Sequence, residues 1–201
     1  MKHEAWARDV DRLGVSLSAA QLDQLAAYEA LLREMAVPRG MIAASEAARL
    51  WERHIADGLR GVAEIPDGAS VADLGSGAGI PGVPLAVALP ASEFVLIEPR
   101  RIRAAFLEAA VDNLGLSNVE IFPRRAEDIR RWFEVCVARA FSSPSGTWQA
   151  AQPLLAPEGV VVYWAGERFR PEELNEAGVR SRLSTHADLA RTGPLVIMGP
   201  Q

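Results

Sequence analysis

The chain has 201 residues, 49% hydrophobic and 23% charged, with a formal net charge of -5. That composition supplies one domain with a full hydrophobic core and excludes extended disorder. No run approaches the roughly 20 apolar residues of a membrane span, and the N-terminal Met1-Lys2-His3-Glu4 is charged where a signal peptide needs an apolar stretch, so a cytoplasmic protein with no membrane partner is expected.

Residues 1–65 read as helical and form an expected N-terminal cap. Ser18-Ala19-Ala20-Gln21 has the form of a capping box, and Leu22, Leu25, Ala26, Leu32 and Met35 after it fall near a 3.6-residue period. Pro38 and Gly40 break that pattern. Ser45 is the expected cap of a second helix through Leu50, Trp51 and Ile55, ending near Gly58 or Gly61. From the turn at Pro66-Asp67-Gly68, residues 66–201 read as one compact α/β unit. Strands are expected at Val71–Leu74, Phe94–Ile97, Val119–Phe122, Val135–Ala140, Val160–Trp164 and Leu195–Met198. Helices are expected over Leu85–Leu89, Ile102–Leu114 with Gly115 as the stop, and Thr147–Leu155 despite Pro153. Continuous apolar strands alternating with helices predict a mostly parallel sheet covered on both faces. Cys136, the single cysteine, lies in one such strand and reads as a small core residue. It has no partner for a disulfide or a Cys-x-x-Cys metal site, and no metal is expected.

The strongest chemical signal is Asp73-Leu74-Gly75-Ser76-Gly77-Ala78-Gly79-Ile80-Pro81-Gly82, a strand running through a glycine loop into a helix. Glycines allow a sharp turn and close approach to a ligand, and the following helix offers unpaired N–H groups. A dinucleotide fingerprint counted from Gly75 requires Gly or Ala at the sixth position, where Ile80 stands. The Asp-x-Gly-x-Gly-x-Gly form resembles instead the first motif of class I methyltransferases, whose loop faces the methionine part of S-adenosylmethionine. Glu98, ending the second strand, can accept hydrogen bonds from ribose hydroxyls, and Ala126-Glu127 after the third can meet an adenine. The expected cofactor set is therefore Gly75, Ser76, Gly77, Gly79, Ile80, Glu98, Ala126 and Glu127. Asp73 is read as fixing the loop through backbone contacts.

The continuation Pro81-Gly82-Val83-Pro84-Leu85 is more specific, as are Arg53-His54-Ile55-Ala56-Asp57-Gly58-Leu59 and Arg139-Ala140-Phe141. Together, in order and spacing, they resemble the RsmG (GidB) family of 16S ribosomal RNA (guanine-N7) methyltransferases. The resemblance implies a Rossmann-like methyltransferase fold with an N-terminal helical cap, S-adenosylmethionine as cofactor, and 16S rRNA or the 30S subunit as partner. It places Arg139 at the junction of cofactor and substrate, as a cofactor contact and the catalytic residue. Arg53, His54 and Arg103 become candidate RNA contacts. The chain departs from the family on the side that faces substrate. The family's Asn-Leu-Thr segment falls on Gly40-Met41-Ile42, its basic pair on Ile102-Arg103, and its lysine near the end of strand five on Ala165.

Guanine N7 has a lone pair and no proton, so methyl transfer to it needs positioning and desolvation rather than a general base. Arg139 suits the O6 edge of guanine; a structural ion pair is its other reading. His54 reads as a contact to RNA or cofactor, or as a packing residue of the cap. Arginines cluster at 100, 101 and 103, at 124 and 125, at 130 and 131, and at 168 and 170. They suit phosphate or a solvated surface. Open alternatives are a methyltransferase of a small molecule or protein, and a non-catalytic relative that binds cofactor or RNA. No motif specifies oligomeric state; a monomer is expected.

Overall fold

The computed structural model describes residues 2–177, 179–184 and 193–200. It opens with α1 (Lys2–Arg12) and α2 (Ala19–Leu31). The capping box at α2 forms as expected: the Gln21 N–H donates to Ser18 Oγ at 3.3 Å, and the Ser18 N–H to Gln21 Oε1 at 2.8 Å. Past Leu31 the helix widens into a π turn, Leu32–Ala36, and the chain reverses at Pro38 to Gly40. Ser45 is not a cap. The next segment starts at Ala44 with no side-chain cap, as a 3-10 turn, Ala44–Arg49. It continues through a π turn, Trp51–Ala56, into α3 (Asp57–Leu59). Packing decides this winding: Leu50, Trp51 and Ile55 are all buried, and Trp51 stacks flat on Trp6 with ring centroids 4.0 Å apart.

Next come β1 (Ser70–Leu74), α4 (Gly82–Ala88), β2 (Glu93–Ile97), α5 (Arg101–Leu114), β3 (Val119–Phe122), β4 (Phe133–Arg139), α6 (Pro144–Ala151), β5 (Leu155–Trp164), β6 (Arg180–Leu183) and β7 (Leu195–Gly199). Gly115 ends α5 in the left-handed region, as expected. The helix expected over Thr147–Leu155 is shifted. Ser143 caps α6 by accepting the Gly146 N–H at 3.1 Å, Pro144 opens it, and the α-helix stops at Ala151. Pro153 lies in a tighter turn, Gln152–Leu154, because a proline has no N–H to continue the α-helical hydrogen bonds.

The sheet order is β3-β2-β1-β4-β5-β7-β6. The first five strands are mutually parallel, and β7 runs antiparallel to both β5 and β6. β6 had no signal in the sequence: all four of its residues are exposed, so it has no apolar alternation. Successive residues of the central strands enter opposite layers. Phe94 and Leu96 face one core, which they share with the N-terminal helices, while Val95 and Ile97 face the other, against α6. Cys136 is buried in the second layer, as expected of a small core residue. Among the described residues no helix is long and apolar enough to cross a membrane.

Candidate functional site

β1 has β2 on one side and β4 on the other. The chain leaves β1 for β2 and β3, then crosses back to β4 and β5. Open α/β sheets bind ligands at such a reversal, outside the C-terminal tips of the strands.

At the tip of β1 the glycine loop is fastened from below. The Ser76 N–H donates to Ile97 O at 3.1 Å and its Oγ to Asp73 O at 2.9 Å. Tyr28, wholly buried on α2, donates its hydroxyl to Ala78 O at 2.6 Å. Asp73 Oδ2 accepts the Gly82 N–H at the start of α4 at 3.1 Å, so Asp73 fixes the loop as expected. A Cβ on Gly82 would lie 2.6 Å from that same oxygen and closer still to Leu96. Gly75 adopts φ +67°, and its outer face is covered by the Phe141 ring. Both positions therefore exclude a side chain.

A cavity of about 390 Å³ opens between this loop and the segment from Met41 to Glu46. Of the residues singled out by the sequence, Gly75, Ser76, Gly77, Ile80, His54, Arg103 and Arg139 line it. Gly79 sits behind the loop, its N–H on Ser76 O at 2.7 Å. Glu98, at the tip of β2, is 2% exposed. Its oxygens accept the Gly77 N–H at 3.1 Å and the Arg100 N–H at 2.8 Å, with Arg103 Nη1 3.7 Å away. Ala126 and Glu127 follow β3, and they line a separate groove of about 900 Å³ against α6. The expected cofactor residues thus occupy three neighbouring strand tips but not one cavity.

Arg139 ends β4, and Ala140 after it takes φ +52°, a left-handed conformation that is strained for any residue with a Cβ. Arg139 Nη2 donates to Arg53 O at 2.7 Å. Its Nη1 is buried, makes no hydrogen bond, and lies 3.5 Å from Asp57 Oδ2. Asp57 also accepts from Arg60 at 2.8 Å, and its carbonyl takes the Trp164 indole N–H at 2.8 Å. The helical cap is in this way hooked to the tips of β4 and β5. Arg53 pairs with Glu46 at 3.4 Å and Glu167 at 2.8 Å. His54 is pushed down to about 4, by burial first and then by the Arg139 charge. It is neutral at pH 7. Burial pushes Asp73 up to about 7, against the hydrogen bonds from Gly82 and Ser76.

Four contributors escaped the sequence reading: Tyr28, Asp57, Trp164 and Glu167. Asp57 stands three residues before Arg60, which it binds at 2.8 Å, and that spacing was a usable signal. The others act across long separations and leave no local pattern.

Residues 21–189 match the family model described as rRNA small subunit methyltransferase G. The chain belongs to that family, RsmG (GidB). With it the chain falls among the S-adenosylmethionine-dependent methyltransferases. RsmG relatives include the ribosomal RNA small subunit methyltransferase G of Wolinella succinogenes, 39% identical over 158 residues, covering 78% of this chain and 81% of that one. The protein of the same name from Pseudarthrobacter chlorophenolicus is 39% identical over 176 residues, covering 84% and 81%. In fold, a solved SAM-dependent methyltransferase from Aquifex aeolicus superposes with a TM-score of 0.60 at 18% identity, over 81% of this chain and 97% of that one. The Rossmann-like methyltransferase architecture read from the sequence is thus the one observed, helical N-terminal segment included.

Proposed function

We propose that this RsmG-family chain transfers the methyl group of S-adenosylmethionine to N7 of a guanine in the 16S RNA of the small ribosomal subunit. The observation that carries this reading is Arg139 at the tip of β4: it lines the cavity above the glycine loop, and one of its guanidinium nitrogens is buried without a hydrogen bond. The cavity, about 390 Å³, lies within the roughly 300–1,000 Å³ of sites that enclose small molecules and cofactors. When bound, the cofactor supplies a methyl group activated on a sulfonium.

The residues present fit that ligand. The loop from Gly75 to Ile80 would hold its methionine part, Glu98 its ribose, and Ala126 with Glu127 its adenine. A carboxylate offers about four lone-pair sites, and backbone N–H groups of the protein occupy two on Glu98. Guanine N7 has a lone pair and carries no proton, so the chain's residues would have to position the ring and exclude water, and no general base is required. His54 agrees with this: a base serves best with a pKa near the working pH, and His54 is held near 4.

Support for an RNA substrate comes from charge placement. Arg100 and Arg101 follow β2, Arg124 and Arg125 follow β3, and Arg168 and Arg170 follow β5; all six are exposed at the sheet edge that bears the cavity. The acidic net charge thus coexists with exposed arginines at this edge, suited to phosphate, interleaved with the exposed Glu127, Asp128 and Glu167. Arg131, by contrast, pairs with Glu93 and Glu120 near the opposite edge. On this reading the chain meets its substrate in the cytoplasm and acts as a monomer.

The test is transfer of tritiated methyl to 30S subunits lacking this modification, followed by mapping of 7-methylguanine. Labelled small-subunit RNA is expected. Cofactor binding with label only in free metabolites or protein would overturn the reading. In the same assay, Glu98→Ala is expected to weaken cofactor binding by about 1–3 kcal/mol, because it removes charge-assisted bonds to ribose and frees the Gly77 turn. Unchanged affinity by calorimetry would remove Glu98 from the cofactor site.

A further inference from the structure

A second cavity of about 180 Å³ opens at the tips of β4 and β5. Its walls include Arg139, Asp57, Tyr163, Trp164, Ala165 and Glu167. Arg139 and Ala140 line both this cavity and the larger one, so they form the partition between them. At this size it falls below the range of pockets that enclose whole cofactors and suits a single planar ring system. Its lining is polar in an asymmetric way. A guanidinium, which only donates hydrogen bonds, stands at the partition, and carboxylates, which only accept them, stand elsewhere in the wall.

Guanine has the same asymmetry. O6 and N7 are adjacent acceptors on one edge, while N1–H and the N2 amino group are donors on another. With O6 on the Arg139 guanidinium, N7 beside it would face the partition and the methyl donor. The donor edge would then need an acceptor. Asp57 is not available for that role: it is 6% exposed and engaged by Arg60 at 2.8 Å and Arg139 at 3.5 Å. Glu167 is available. Its side chain is 54% exposed, Oε1 takes Arg53 at 2.8 Å, and among the described residues Oε2 makes no hydrogen bond. An adenine in the same pose would turn its N6 amino donor toward Arg139 and its N1 acceptor toward Glu167. Both contacts would be mismatched, and sites that hydrogen-bond their substrate reject such analogues strongly. Ala165, where the resemblance expects a lysine, leaves this wall small.

We propose that the cavity between the tips of β4 and β5 is the pocket of the target base, and that Glu167 determines its specificity by accepting hydrogen bonds from guanine N1–H and N2. This rests on the functional reading above. Because the RNA is held mainly through its phosphates, a contact made once the base has entered the pocket acts on turnover more than on RNA affinity.

The experiment compares the wild-type chain with Glu167→Gln and Glu167→Asp on unmethylated 30S subunits, with cofactor affinity and thermal stability measured in parallel. Glu167→Gln is expected to lower kcat at least tenfold, with KM for 30S subunits and cofactor Kd within about twofold of wild type. Glu167→Asp, which keeps both acceptor oxygens, is expected to recover part of the loss. An active wild type with Glu167→Gln equally active, or with Glu167→Asp no better than Glu167→Gln, would overturn the pocket alone. A wild type that binds cofactor and leaves 30S subunits unlabelled would overturn the RNA reading, and the pocket with it.

Discussion

Arg139→Ala is expected to slow methyl transfer a hundred- to thousand-fold while changing cofactor affinity by less than about tenfold. Removing one preorganised donor from an enzyme site costs on the order of 3–4 kcal/mol of transition-state stabilisation. Arg139 is preorganised in that sense. Arg53 O holds Nη2, and Asp57 stands 3.5 Å from Nη1, which makes no hydrogen bond. The same variant leaves the buried Asp57 with Arg60 as its cation partner among the described residues, so a stability loss of about 1–3 kcal/mol is expected. Arg139→Lys is expected to rescue little, because an ammonium cannot reach the Arg53 carbonyl and the cavity together, as the planar fork does. Single-turnover transfer and calorimetry, run side by side, separate these effects. Equal losses in transfer and cofactor affinity would show Arg139 to be a cofactor anchor rather than an orienting group for the base.

The second large effect concerns pH. The Asp73 carboxyl has its folded pKa raised from an ordinary 3.8 to about 7. Between those values the folded state binds more protons than the unfolded state, so this group makes the protein less stable as pH rises through that window. The full difference is about 4 kcal/mol, reached above pH 7. His54 acts with the opposite sign. Its folded pKa is lowered from 6.5 to about 4, so it costs stability as pH falls through that range. The two slopes overlap between about pH 4 and 6.5, and the wild-type curve masks both. Asp73→Asn removes one of them. The new amide meets a site where Oδ1 has no partner, which shifts the whole curve without changing its slope. The stability of Asp73→Asn relative to wild type is therefore expected to rise by several kcal/mol from pH 4 to pH 8, measured by urea unfolding at each pH. A difference that stays flat within about 1 kcal/mol would mean that Asp73 is ionised throughout.

Much of the architecture was legible because its signals are local. The Ser18 cap, the Gly115 stop and the apolar strands each depend on residues within a few positions of one another. The failures have equally definite causes. Ser45 carries the chemistry of a cap, but burial of Trp51 against Trp6 set the winding instead. β6 is an exposed strand held by its pairing with β7, and its sequence, Arg-Ser-Arg-Leu, lacks the period-two pattern. In the site, the glycine loop, Glu98 and Arg139 were readable as residue types at strand ends. The partners that give them their geometry were not. Arg139 and Arg53 are 86 residues apart, and Trp164 and Asp57 are 107 apart.

The sequence by itself determined a parallel α/β domain with a methyltransferase loop, and a family whose three motifs stand in order. Turn chemistry and strand periodicity are written into consecutive residues, and the RsmG motifs are short enough to survive as strings. Only the tertiary structure decided that Glu98 holds Gly77 of the loop with one oxygen and Arg100 with the other, and that Ala126 and Glu127 border a different groove from Gly75. It alone set Arg139 in the wall between a larger cavity and a smaller one. Those outcomes depend on which strand tips become neighbours and on what is excluded from water between them, and a linear pattern carries neither.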